Sequence, residues 1–268
     1  MFNYLMLVYD SCRYDVLVSA KTPVLDTYCK IYRAQAPSNF TYASHQAFFV
    51  GILPNTTDFI PYYNRFNKQL IGLNNVGEGQ VVRYALQKYD SDWNLLEGLR
   101  ARGYQTIGAG AMNWFRQKSL ISGFDKFLFT GTDADAQIDF LLNTININLP
   151  FFGFINFGET HAPYFFKGKP ERCPEDVRAR RMEWPPKEQG PTGSQNIAFK
   201  CQKSAAEFLD TRIARLFKHL PNRTIVILTS DHGDCFGENG YWGHGLNHPK
   251  ILEVPLSIFR LDRRPLEK

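Results

Sequence analysis

Residues Ile225 to Gly245, IVILTSDHGDCFGENGYWGHG, decide how the chain is read. They open on Ile225-Val226-Ile227-Leu228, a short β-branched and apolar run. Between turn signals, such a run predicts a buried strand of a parallel sheet. Asp231 and His232 follow at once, then a glycine-rich turn, then His244. Open α/β sheets place their ligands outside the carboxyl ends of their strands. Asp and neutral His are both ligands for divalent metals, and loop glycines let a backbone bend tightly around an ion. Taken alone, the same residues also suit an ordinary solvated corner. Partners from elsewhere in the chain decide between the two.

Working outward, other strands deliver similar groups. Phe2 to Tyr9 predicts a first buried strand ending on Asp10, followed by Ser11, Cys12, Arg13, Tyr14 and Asp15. Tyr104 to Gly110 predicts another, and Phe151 to Phe157 a third, ending on Glu159, Thr160 and His161. Glu253 to Phe259 supplies the last. Helices are expected from Thr22-Pro23 to Tyr28, from Ser44 to Gly51, from Ser91 to Arg100, from Asp133 to Leu142 and from Ala198 to Leu220. Pro23 at a first helical position and Gly51 and Gly103 past helix ends are the usual punctuation. Tyr32 to Asn39 reads as a connector and residues 55–88 as irregular surface structure. A Pro-, Lys- and Arg-rich excursion at about 165–197 reads as a lid or insertion. Strands alternating with helices predict an α/β fold, a mostly parallel sheet sandwiched between helices, in one domain spanning 1–268.

Composition narrows the function classes. The 268 residues are 44% hydrophobic and 15% aromatic, ample for one large core. No apolar run approaches the about 18–20 residues that span a bilayer, so no membrane segment is expected. The chain starts directly on strand-like sequence with no basic leader region, which predicts a cytoplasmic protein. Five scattered cysteines without a CxxC pair argue against a disulfide framework and a cysteine zinc knuckle. A net charge of +5 suits a small anionic substrate better than a dedicated nucleic-acid partner.

Thr41 stands near a predicted helix start, where a hydroxyl can attack an electrophile and the helix favours anions. With it, four segments together resemble the alkaline phosphatase superfamily on its sulfatase-like branch. Leu7 to Asp15 resembles the first-strand motif with its metal-binding Asp, and Thr41 to Gly51 (TYASHQAFFVG) the nucleophile segment. His161-Ala162-Pro163-Tyr164 resembles the His-x-Pro-Tyr motif, and Thr229 to Gly245 the Ser-Asp-His-Gly signature with a later catalytic basic residue. Gly103-Tyr104-Gln105-Thr106 and Gly123-Phe124-Asp125 are lesser echoes.

The resemblance implies that Asp10, Thr41, Asp231 and His232 bind one divalent metal, with Thr41 both ligand and nucleophile. It implies that His161 and His244 hold the transferred group or protonate the leaving group. Alternatively, with Glu159, they complete a second metal or substrate site. Arg13 is expected either to form an ion pair with Asp15 behind the site or to touch substrate, and His45 either to support the site structurally or to bind substrate. The departures are informative. Where a type I sulfatase needs Cys or Ser in Cys/Ser-x-Pro-x-Arg, the aligned residues are Thr41, Ala43 and His45. Threonine cannot mature to formylglycine. The Asp231-His232 pair brings nitrogen ligation, favouring Zn or Mn over Mg or Ca, as one or two ions. The expected activity is hydrolysis of phosphate mono- or diesters through a phospho-threonine intermediate. Its alternatives are phosphotransfer to an acceptor alcohol, sulfoester hydrolysis, or a pseudoenzyme that keeps only the fold.

Overall fold

The computed structural model describes residues 1–51, 53, 95–168 and 194–261. Its strands are β1 (Asn3–Tyr9), β2 (Tyr32–Gln35), β3 (Gln105–Gly110), β4 (Lys126–Phe129), β5 (Phe151–Phe157), β6 (Thr224–Thr229), β7 (Cys235–Phe236), β8 (Trp242–Gly243) and β9 (Glu253–Leu261). The α-helices are α1 (Tyr14–Ser19), α2 (Pro23–Tyr28), α3 (Thr41–Val50), α4 (Leu95–Ala101), α5 (Lys118–Ile121), α6 (Ala134–Thr144), α7 (Ser194–His219) and α8 (Pro249–Leu252). The expected surface region at 55–88 and residues 169–193 of the expected lid lie outside the described residues, as does the start of the helix expected from Ser91.

A seven-stranded sheet runs β2-β9-β6-β1-β5-β3-β4. β1 pairs in parallel with β5 and β6, and β3 in parallel with β4 and β5. β9 lies antiparallel between β6 and β2. The mostly parallel sheet is therefore as expected, with an antiparallel edge. Tyr32 to Gln35 is a strand, correcting the connector reading. Its burial runs exposed, exposed, intermediate, exposed, so an edge position leaves it no apolar alternation to read.

Alternation along β1 builds the two cores. Leu5, Leu7 and Tyr9 face one side and pack with Ile138 and Leu141 of α6 and with Leu209, Ile213 and Leu216 of α7. Met6 and Val8 face the other, with Tyr42, Ala43 and Phe49 of α3 and Leu96 of α4. Period-two alternation in a central strand thus covers the sheet with helices on both faces. β1, β5 and β6 run the same way, so the segments after them gather at one edge. The site forms there.

Candidate active site at the carboxyl edge of the sheet

Asp10 follows β1 directly, and Asp231 and His232 follow the end of β6 by two and three residues. Their loops are locked to each other by short bonds. Ser11 stands at φ 60, and its N–H donates to Asp231 Oδ1 at 3.1 Å. The Cys12 N–H donates to Ser230 Oγ at 2.9 Å, and Ser230 Oγ donates to the His232 carbonyl at 2.6 Å. Thr160 Oγ1 donates to the Asp10 carbonyl at 2.7 Å. Gln202 of α7 donates to the Ser11 and Thr160 carbonyls, at 2.8 and 3.0 Å. A non-glycine residue at positive φ is strained backbone, held here by its surroundings. Gly233 is needed for a different reason: a Cβ there would collide with the Lys250 carbonyl oxygen.

Thr41 opens the ten-residue helix α3, with Phe40 as its N-cap and Gly51 closing it at φ 74. Its hydroxyl lies 3.2 Å from His232 Nε2 and 3.5 Å from Asp10 Oδ2. The positive end of the helix dipole points at this spot. His232 donates Nδ1–H to the Gly233 carbonyl at 2.9 Å, which leaves Nε2 as the lone-pair nitrogen facing Thr41. Asn156 of β5 donates to Asp10 Oδ2 at 2.9 Å and fixes that carboxylate from below.

The electrostatics are those of a crowded, dry anion pair. Burial, then the neighbouring Asp231, raises the Asp10 pKa. Burial pushes Asp231 up to about 6. Burial, with His244 adding to it, pulls His232 down to about 3, so it stays neutral. Asp231 Oδ2 is buried without a hydrogen-bond partner among the described residues. Oxygen and nitrogen donors of Asp10, Asp231 and His232 lie within 4.8 Å of one another. An orphaned buried carboxylate oxygen beside a second carboxylate and a neutral imidazole is a donor set that fits a divalent cation.

The second half of the site is imidazole-rich. The His244 ring lies 4.2 Å from that of His232 and 5.4 Å from that of His161. His161 donates Nδ1–H to the Ala162 carbonyl at 2.6 Å, and His244 donates Nδ1–H to Asp234 Oδ1 at 2.7 Å. Burial opposes charge on His244, but the Asp234 carboxylate more than offsets it and raises the pKa.

Three expected site residues are placed elsewhere. Glu159 turns to the start of α6, where Oε1 accepts from the Ala134 N–H at 2.8 Å. It belongs to neither group of metal-capable side chains among the described residues, Asp10–Asp231–His232 or His232–Asp234–His244. Arg13 is 3% exposed. Its guanidinium is engaged by Asp15 at 2.8 and 2.7 Å and Glu238 at 2.6 Å, over the Phe236 ring, so it braces the loops around the site. His45 is wholly buried. It donates Nδ1–H to the Thr41 carbonyl at 2.7 Å and packs edge-on against Phe115 and Phe154, beneath the site. Two partners went unread in the sequence. Asn156 is the one polar residue of FFGFINF, a legible signal. Asp234 sits three positions after Asp231, and only folding shows what it meets.

Fold and donor set together define the alkaline phosphatase superfamily, whose members act on phosphate or sulfate esters as hydrolases or transferases. Residues 41–259 match the sulfatase family model, and the chain belongs to the sulfatase family. Human iduronate 2-sulfatase is 36% identical over 61 residues, which is 21% of this chain and 11% of that one. The zinc complex of the C-terminal periplasmic domain of Escherichia coli EptC superposes with a TM-score of 0.62 at 12% identity, over 98% of this chain and 73% of that one. The corresponding domain of the phosphoethanolamine transferase EptC from Campylobacter jejuni gives 0.60 at 13% identity, over 98% and 80%. The lipoteichoic acid synthase LtaP from Listeria monocytogenes gives 0.60 at 11% identity, over 98% and 67%. At such identities the likeness is one of fold.

These comparisons correct the expected cytoplasmic location. The similar domains are described as periplasmic, so nothing in the fold supports a cytoplasmic location. Cys201 agrees, being disulfide-bonded while Cys12, Cys29 and Cys235 are free. A disulfide persists in oxidising compartments, and one bridge beside three free cysteines is still no disulfide framework. No helix among the described residues is long and apolar enough to cross a membrane.

Proposed function

We propose that the chain is a single catalytic domain that cleaves phosphate esters by way of a phospho-threonine at Thr41. The observation that carries this is the Thr41 hydroxyl at the N-terminus of α3, 3.2 Å from His232 Nε2 and 3.5 Å from Asp10 Oδ2. Asp10, Asp231, His232 and Thr41 would hold one divalent ion, with zinc or manganese suited to the mixed nitrogen and oxygen donors. When bound, such an ion supplies charge neutralisation and a lowered hydroxyl pKa. Thr41 Oγ1 attacks the phosphorus in line, the bond to the ester oxygen breaks, and His244 or His161 supplies that oxygen's proton. The α3 dipole favours the phosphoryl group held there.

Water then releases phosphate, or an acceptor alcohol takes the phosphoryl group. The second outcome is supported by fold neighbours named as a phosphoethanolamine transferase and a lipoteichoic acid synthase. Threonine at position 41 disfavours the formylglycine route to sulfate esters. Metal analysis combined with turnover of aryl phosphate mono- and diesters and an aryl sulfate tests the reading. Thr41→Ala is expected to lose about 1,000-fold or more in kcat on the preferred phosphate. Faster sulfate than phosphate turnover would overturn the substrate class, and full activity in Thr41→Ala would overturn the nucleophile. Glycerol added as acceptor separates transfer from hydrolysis by its phosphorylated product.

A further inference from the structure

We propose that Asp234 is the positioning residue that fixes His244 as the proton donor to the leaving oxygen. The inference rests on the phospho-threonine reading and deepens it.

The placement follows from the short ribbon after β6. β7 and β8 pair antiparallel, with Cys235 opposite Gly243 and Phe236 opposite Trp242. Asp234 and His244 are therefore the next pair beyond the ladder, ten residues apart in sequence but facing across it. The turn is closed by the Gly237 N–H donating to the Tyr241 carbonyl at 2.7 Å, with Gly237 at φ 106. The Glu238 carboxylate braces the turn by accepting from Arg13 Nη1 at 2.6 Å and from the Phe236 N–H. At the other end, the Gly233 N–H donates to the Ile251 carbonyl at 2.6 Å, and Arg13 Nη1 donates to the Asp234 carbonyl at 3.4 Å. Asp234 is thus clamped on both sides, and its side chain is 4% exposed.

The bond this clamp presents is 2.7 Å, from His244 Nδ1–H to Asp234 Oδ1. With Nδ1 committed to the carboxylate, proton exchange falls to Nε2. A carboxylate behind an imidazole fixes both its tautomer and its ring orientation. The ring so held lies 4.2 Å from that of His232, which itself touches the Thr41 hydroxyl. In the transfer step, Thr41 Oγ1, its proton already given up to solvent, forms the new bond to phosphorus. The old bond to the leaving alcohol breaks with its electron pair on the alcohol oxygen. The His244 Nε2 proton moves to that oxygen, leaving neutral His244 with Nδ1–H still donated to Asp234.

The test compares Asp234→Ala, His244→Ala and the double variant, each with zinc, on 4-nitrophenyl phosphate and phenyl phosphate. A proton donor matters most for the poorer leaving group. Asp234→Ala should therefore cut kcat by about 100-fold on phenyl phosphate and by less than about tenfold on 4-nitrophenyl phosphate, with KM nearly unchanged. In the His244→Ala background, Asp234→Ala should cost no more than about twofold further. Losses that multiply in the double variant, or that are equal for the two substrates, would overturn the proposal. Nitrogen-15 NMR of labelled histidine gives a readout independent of turnover. In the wild type His244 should keep Nδ1 protonated in both its charged and its neutral form, and it should lose that neutral-form tautomer preference in Asp234→Ala. Its absence in the wild type would refute the pairing outright. If the signature is present but neither phosphate is turned over, the phosphoester reading fails while the Asp234–His244 pairing stands.

Discussion

Asp231 and Glu159 invite comparison, since each is a buried carboxylate just past the end of a parallel strand. Both are raised chiefly by burial, Asp231 to about 6 and Glu159 to about 7. Each leaves one buried oxygen without a hydrogen-bond partner among the described residues, Asp231 Oδ2 and Glu159 Oε2. Their surroundings separate them. Asp231 shares its pocket with Asp10 and His232, whereas Glu159 meets the first N–H of α6 and the acidic side chains of Asp133 and Asp135. A carboxylate at a strand end is therefore a common event, and a second donor within reach of the same point makes it a site.

The largest expected effect separates the two directly. Asp231→Asn should weaken zinc binding by more than about 100-fold, beyond what losing an outer partner of a ligand costs. Glu159→Gln should leave zinc binding within about threefold, because the amide oxygen still accepts from the Ala134 N–H. Calorimetric titration with zinc reads both. Equal losses in the two variants would erase the distinction and return Glu159 to the site.

The next effect is in pH. The His232 imidazole is neutral down to about 3, so protons barely compete for it. Asp231, raised to about 6, must give up its proton before it can hold a cation. Zinc affinity should accordingly rise about tenfold per pH unit as pH climbs toward 6 and level off above it. The sign follows from the raised carboxylate: below its folded-state pKa it is protonated and neutral, above it an anion. An affinity set by an ordinary histidine would instead keep climbing to about 6.5. Titrations from pH 4.5 to 8 distinguish the two shapes.

How much of this was legible differs by residue. Asp10, Asp231 and His232 were readable because each lies within a few residues of the end of an apolar, strand-like run. In such a run, direction and burial alone fix where the next side chains go. Thr41 was readable through helix-start chemistry and the order of motifs. The Arg13–Asp15 pair and a supporting His45 were open to reading as local neighbours, but sequence order says nothing about what else a long side chain meets. Arg13 is taken up by Glu238, far along the chain, and His45 by the carbonyl one turn back. The Asp234–His244 pair depends on a register of only two residue pairs, Cys235–Gly243 and Phe236–Trp242, which no periodicity reveals. β2 was missed because its edge position leaves it exposed.

The smallest expected effect concerns Asn156, a polar interruption of β5 that supports Asp10 and not Asp231. Its amide donates to Asp10 Oδ2 at 2.9 Å from within a wholly buried strand. Asn156→Leu puts an apolar side chain of similar size into an apolar strand, so the fold should persist. What it removes is the donor that orients one carboxylate. Zinc affinity should fall by about tenfold, the scale of losing a partner behind a metal ligand, while kcat at saturating zinc stays within about threefold. A loss as large as that of Asp231→Asn would mean that Asn156 orders the whole pocket. No loss at all would mean that Asp10 is held by its loop alone, through the Thr160 Oγ1 bond to its carbonyl.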